Sequence, residues 1–250
     1  MVKNLFGLAL RQASGRVTSL LKLSNLDWPT PNYTALCRRQ QHLQVSIPYR
    51  PNPNGLHLLV DSTGVKMLGE GEWKTKKHGA EYRRQWRKVH LAIDAETLEI
   101  RAIEVTSNRV GDAQALPDML NQIPRDERID SISGDGAYDT KNVYSATADR
   151  GAEAIIPVRK NGKPWKDNTS GAQARNETLR AVQRLGRAIW KKWSGYHRRS
   201  LVETKMRCFK LLGERVNARI FNSQVAELQI RAVLLNRFTQ LGTPITVVTP

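Results

Sequence analysis

Four side chains late in the chain are spaced for one surface. They are Tyr196, Arg199, Glu203 and Lys210. On a helix turning about 100° per residue, all four fall within an arc of about 60°. The stretch from Ser194 to Lys210 has no proline and no glycine after Gly195. Ser194 or Gly195 suits a helix start, so the stretch is predicted to be helical. Leu201, Val202, Cys208, Phe209 and Leu212 point the other way. One face is therefore core, and the opposite face holds one acid among a phenol and two bases. A plainer alternative pairs Glu203 with Arg199 or Arg207, an i,i±4 ion pair that adds little stability.

Two aspartates each follow an apolar run that reads as a buried strand. The apolar run Leu56-His57-Leu58-Leu59-Val60 ends in Asp61, and Ile129-Asp130-Ser131-Ile132-Ser133 leads through Gly134 to Asp135. Three carboxylates brought together repel one another and must share protons or hold cations. Oxygen donors without Cys or His imply Mg²⁺ or Mn²⁺. Two such ions about 3.5–4 Å apart activate a water or a 3′-hydroxyl and stabilise the leaving oxygen of a phosphodiester. Asp94 and Asp139 compete for these roles. Asp94 stands beside a tight turn, where Asp is at home, and Asp139 is expected to cap the next helix. His90, on a strand, reads as structural.

The elements that must position these acids are legible as alternating patterns. The run from Leu56 reads as a buried strand, with Ser62-Thr63-Gly64 turning away from it. Lys88–Asp94 and Glu99–Val105 form a hairpin through Ala95-Glu96-Thr97. Asp112 is expected to cap a helix through Leu116, Met119 and Leu120. A fourth strand at Ile129–Ser133, a helix near Lys141–Arg150 and a fifth strand at Ala154–Val158 follow. Residues 159–195 form a basic insert with Trp165, Trp190 and Trp193 interleaved. Either its tryptophans pack on the core, or an exposed one stacks on an unpaired base; Trp193 is the one assigned to DNA. Ser223–Phe238 reads as a plain core helix.

Ahead of the first strand, residues 1–50 read as a small all-α segment. Short helices interrupted at Ser14-Gly15, a break at Pro29-Thr30-Pro31, and a helix capped by Asn32 or Thr34 give a helix-turn-helix-like pattern exposing Arg38, Arg39 and Gln40. Any small helical bundle looks similar. Pro48 to Gly55 is a linker.

The 250 residues hold 40 Lys+Arg against 23 Asp+Glu, a net charge of +17. That excess calls for a polyanionic partner, nucleic acid or an anionic membrane surface. A second basic cluster, Lys74, Lys76, Lys77, Arg83, Arg84, Arg87 and Lys88, is assigned to phosphate contact rather than to a solvated loop. Nothing is long and apolar enough to span a bilayer. Cys37 and Cys208 make neither a zinc motif nor a disulfide framework, so a reduced cytoplasmic protein is expected.

The spacing Tyr, two residues, Arg, three residues, Glu, six residues, Lys resembles the signature around the catalytic glutamate of the DDE transposases of bacterial insertion sequences. Asp61 and Asp135, in the right order, complete the resemblance, which runs from Leu56 to about Leu212. It implies an α/β fold: a ribonuclease H-like mixed five-stranded sheet flanked by helices over residues 55–250, with its first and fourth strands adjacent. It implies Asp61, Asp135 and Glu203 as catalytic metal ligands for two Mg²⁺ or Mn²⁺ ions, Asp61 bridging them. Tyr196, Arg199 and Lys210 would grip a transposon end, Lys210 on a phosphate and Arg199 near the terminal nucleotides. The implied partners are double-stranded DNA, as transposon ends and target, and a second copy on paired ends. No membrane and no small-molecule substrate are expected, and the location would be the bacterial nucleoid. The implied activity is cleavage at terminal inverted repeats and joining of 3′ ends to target DNA. The alternative is a shortened or inactive transposase holding DNA as a repressor. The short N-terminal segment favours that alternative, and the intact acids and signature favour the enzyme.

Overall fold

The computed structural model describes residues 1–67 and 86–242. Lys74, Lys76, Lys77, Arg83 and Arg84 lie outside the described residues. In chain order the elements are α1 (Val2–Leu5), α2 (Leu10–Leu23), α3 (Tyr33–His42), β1 (Leu56–Met67), β2 (Trp86–Asp94), β3 (Ile100–Ser107), α4 (Asp112–Asn121), β4 (Ile129–Ser133), α5 (Lys141–Asp149), β5 (Glu153–Ile155), α6 (Ala172–Leu185), α7 (Arg187–Trp193), α8 (Ser200–Leu211), β6 (Arg215–Val216) and α9 (Phe221–Leu241). They divide into two compact units. One holds Tyr49–Gly64 and Arg87–Arg207; the other holds Met1–Pro48, the flanks of the undescribed segment, and the chain from Cys208.

The first unit is built on a mixed sheet ordered β3-β2-β1-β4-β5. β2 and β3 are antiparallel, while β4 runs parallel to both β1 and β5. This is the ribonuclease H-like arrangement, with the first and fourth strands adjacent. The chain dictates it locally. In β1, Leu56, Leu58, Leu59 and Val60 are all buried, which suits a central strand covered on both faces. Leu58, Val60, Ile132 and Ala154 pack with Leu116 and Met119 of α4 and with Val143 and Tyr144 of α5. Arg150, just past α5, donates to the carbonyls of Leu120, Ile123, Pro124 and Glu127 and fixes the lead-in to β4.

Several expectations are corrected here. β1 does not turn away at Ser62-Thr63-Gly64 but continues to Met67. Its last residues, Lys66 and Met67, pair in parallel with Arg215 and Val216, adding a sixth, two-residue strand. β5 is shorter than the apolar run predicted: Ile156, Pro157 and Val158 are buried without extending the strand. Gly111, not Asp112, stands at the N-cap of α4, its amide donating to the Gln114 side chain at 3.0 Å. Thr140, not Asp139, caps α5 through the Val143 amide. Asp139 is instead buried in a pair with Arg175 (Nε–Oδ1 3.1 Å) and also accepts from the Arg159 amide at 2.9 Å. That pair draws one of the insert's bases into the interior. Gly171, at φ +70, lets α6 begin hard against Tyr144, where a Cβ would stand 2.6 Å from the tyrosine Cβ.

In the second unit α3 packs against α9, and α1 against α2 and α9. Asn32 caps α3, as predicted, accepting from the Thr34 amide. The interruption predicted at Ser14-Gly15 is absent. α2 runs through both residues, since one mid-helix glycine costs only about 1 kcal/mol. The break falls instead around Gly7, at φ +62. Gln40, predicted as exposed, donates to the Ser223 carbonyl. Nor is α9 plain core. Its buried face carries Glu227, which accepts from Lys3 (2.8 Å), Arg231 (3.0 Å) and the Asn217 amide (3.1 Å). Arg231 also donates to the carbonyls of Gly213 and Arg215.

Candidate active site

Asp61 and Asp135 are placed by strand register. Leu59 on β1 is opposite Ser133 on β4. Each aspartate lies two residues beyond that pair, so both emerge on the same face where β1 and β4 part. Asp61 therefore stands within a longer strand rather than at its end. Its Oδ1 accepts the Ser62 amide at 2.8 Å. Asp135 turns the chain out of β4: its Oδ1 accepts the Ala137 amide at 2.9 Å and opens a 3₁₀ turn, Gly136–Tyr138. Gly134 permits the turn, since a Cβ there would meet the Tyr138 ring at 2.8 Å.

Glu203 reaches the aspartates through Arg199. The continuous helix predicted from Ser194 is broken in two. Gly195, at φ +69, starts a 3₁₀ turn over Tyr196–Arg199, and α8 begins only at Ser200. A 3₁₀ turn has about three residues per revolution, so Tyr196 and Arg199 eclipse one another on one side. The Arg199 guanidinium donates from Nη1 to Asp61 Oδ2 at 2.9 Å and from Nη2 to Glu203 Oε1 at 2.5 Å. The i,i+4 pair weighed as the plain alternative for Glu203 thus exists, as one half of a bridge. Lys210, in the last turn of α8, belongs to the other unit.

The electrostatics mark the acids as a group. Burial first, then the charges of Asp135 and Glu203, raise the Asp61 carboxyl above its usual range, against the Ser62 amide and Arg199. Burial works to lower the Arg199 pKa, but Tyr196, Asp61, Glu203 and Asp135 outweigh it and raise it. Burial, then Asp135 and Asp61, likewise raise the Tyr196 phenol against the pull of Arg199. Three carboxylates and one guanidinium leave two negative charges uncompensated. That surplus, on oxygen donors alone, fits hard divalent cations. As placed, however, no three Asp, Glu, His or Cys side chains among the described residues stand close enough to hold an ion together, and Arg199 occupies an oxygen of two of the three acids.

Two neighbours were missed by the sequence reading. Tyr138 is fully buried, and its hydroxyl finds no hydrogen-bond partner among the described residues. Burial, then Asp112, Asp61 and Asp135, push that phenol well above its ordinary pKa. Asp112 pairs with Lys88 at 2.7 Å and stands 3.6 Å from His90. The position of Tyr138 three residues past Asp135 was the available clue. Asp94 does serve its turn, accepting from the Thr97 amide and hydroxyl.

The tryptophans separate cleanly. Trp165 packs edge-on to Tyr144 with centroids 5.3 Å apart, and Trp190 is buried against Tyr196 at 5.8 Å. Trp193 is 75% exposed. Arg38 and Arg39 are exposed on α3, in the other unit.

Two family models, both described as a transposase DDE domain, match the chain, one over residues 52–237 and the other over residues 1–70. The chain belongs to the DDE transposase family. Divalent metal ions are general in that family, and DNA is the partner its activity implies. One solved structure, the intasome of simian T-cell lymphotropic virus in complex with the PP2A regulatory subunit B56 gamma, is 14% identical. It covers 88% of this chain and 67% of that one at a TM-score of 0.32, a likeness too loose to carry an argument. Among the described residues of this transposase no helix is long and apolar enough to cross a membrane.

Proposed function

We propose that this DDE transposase binds the terminal inverted repeats of a bacterial insertion sequence, cuts there, and joins the 3′ ends to target DNA. One observation carries the reading: Asp61 and Asp135 sit at matching offsets beyond a paired register, and Glu203 is tied to Asp61 through one guanidinium. Asp61, Asp135 and Glu203 would hold two Mg²⁺ or Mn²⁺ ions. Bound there, the ions supply Lewis-acid activation of a water or 3′-hydroxyl and charge relief at the leaving oxygen. The protein's own part is to hold three acids on rigid backbone and to present Tyr196, Arg199 and Lys210 to the DNA end. Trp193, exposed beside them in sequence, is a ring available to stack on an unpaired base. Arg38 and Arg39 on α3 would read the repeat, and two copies would act on paired ends.

The test is strand cleavage and joining on a duplex carrying the repeat that flanks the coding sequence. Asp61→Asn, Asp135→Asn and Glu203→Gln should each be nearly as inactive as the triple variant, because groups acting as a unit lose activity non-additively. Mg²⁺ and Mn²⁺ should support the reaction, and Ca²⁺, with its looser coordination, should not. Full activity of Glu203→Gln would refute the assignment.

A further inference from the structure

Arg199 stands where a transposase needs room for a cation. It donates to Asp61 Oδ2 and Glu203 Oε1, and those lone pairs are the ones a metal would take. A guanidinium there takes up a lone pair on each of those oxygens and repels a divalent ion by its own positive charge, so the two compete for the site. The bridge also joins Asp61 on β1 to Glu203 on α8 with the two-pronged donor geometry at which arginine excels. The same fork fits a phosphate equally well, so a DNA backbone entering the site competes for Arg199 with the carboxylates.

We propose that Arg199 is a built-in counter-cation of the acid site: in the DNA-free protein it holds Asp61 and Glu203 together and keeps divalent cations out, and a DNA phosphate that draws it away opens the site to them. Cation loading is then coupled to the presence of DNA by exchange of one guanidinium between two anions. Removing the guanidinium leaves Asp61 and Glu203 without their shared counter-charge, with Asp135 in the field of Asp61, which raises their demand for a metal and lowers the stability of the metal-free protein. The proposal rests on Asp61, Asp135 and Glu203 being the cation ligands, and its test separates the two ideas.

Binding of Mn²⁺ to the DNA-free, 250-residue protein is measured by electron paramagnetic resonance for the wild type, Arg199→Gln, Arg199→Lys, Asp61→Asn, and the double variant Arg199→Gln/Asp61→Asn. Arg199→Gln should bind Mn²⁺ at least tenfold more tightly than the wild type. It should melt at a lower temperature in EDTA and recover on adding Mn²⁺. Arg199→Lys, whose single ammonium spans both carboxylates poorly, should fall between. The double variant should lose the gain. Affinity in Arg199→Gln equal to or weaker than wild type overturns the counter-cation role. If that variant does not fold, Arg199→Lys binding no better than wild type overturns it instead. Tighter binding that persists in the double variant shows that the acids are not the ligands, and removes the proposed function's metal site along with this inference.

Discussion

Two glutamate–arginine pairs, each at i,i+4 spacing, lie in different units of this transposase and do opposite things. Glu227 and Arg231 on α9 have side chains 1% and 3% exposed, and their other donors and acceptors go to Lys3, the Asn217 amide and two carbonyls. Glu203 and Arg199 straddle a 3₁₀-to-α junction, with the glutamate side chain 58% exposed and two further acids in the field of the guanidinium. In the first pair the glutamate precedes the arginine, the order the helix dipole favours; in the second the order is reversed. The closed pair is buried, and its acid meets two cations and a backbone amide, which is what a structural pair needs. The open pair is left with surplus negative charge, which is what a site that takes up charge needs. Burial and the sign of the surplus charge separate the two pairs where residue type and spacing do not.

The contrast breaks first under truncation. Glu227→Ala leaves Arg231 charged and buried and should cost about 3–5 kcal/mol. Glu203→Ala should stay within about 1 kcal/mol while abolishing strand cleavage. Denaturant melts of both variants measure it, and comparable losses would erase the distinction. The same logic applies to two tryptophans on one short helix. Trp190→Ala should destabilise by about 3–5 kcal/mol. Trp193→Ala should leave stability within about 0.5 kcal/mol and weaken DNA binding by about 1–3 kcal/mol if it stacks on a base. The last test titrates a buried imidazole. Burial, against the field of Asp112, lowers His90 to about 4 from an ordinary 6.5. The unfolded chain then binds the extra proton between those values, so stability should fall as pH drops from about 6.5 to 4, by roughly 3 kcal/mol. In His90→Gln that acid-side slope should flatten. An unchanged slope would place the loss elsewhere.

What could be read from the sequence was what is local. The limits of β4, the hairpin of β2 and β3, and Asn32 as a cap follow from alternation and turn chemistry within a few residues. The adjacency of β1 and β4 came from the family resemblance together with strand order. The misreadings concern partners brought from afar. Asp139 is claimed by Arg175, Glu227 by Lys3, and Gln40 by Ser223, and no short window contains both members. The 3₁₀ turn at Tyr196–Arg199 escaped for another reason: over four residues, periods of 3.0 and 3.6 are indistinguishable. Of the site, the three acids and Arg199 were visible as types at spacings, but the bridge between them was not.

The clasp of Lys3 and Asn4 on Glu227 has a consequence in time. The partner of α1 is α9, so α1 cannot settle until more than 220 further residues have been made, and α3, held to Ser223 through Gln40, waits for 183. At about 5–20 residues per second, that leaves them waiting on the order of ten to forty seconds. Meanwhile β1 to β5 can assemble while synthesis continues. The nascent chain therefore acquires its acid-bearing sheet before the unit holding α3 is finished, and synthesis of α9, not emergence of the N-terminus, sets the moment at which Arg38 and Arg39 reach their final setting.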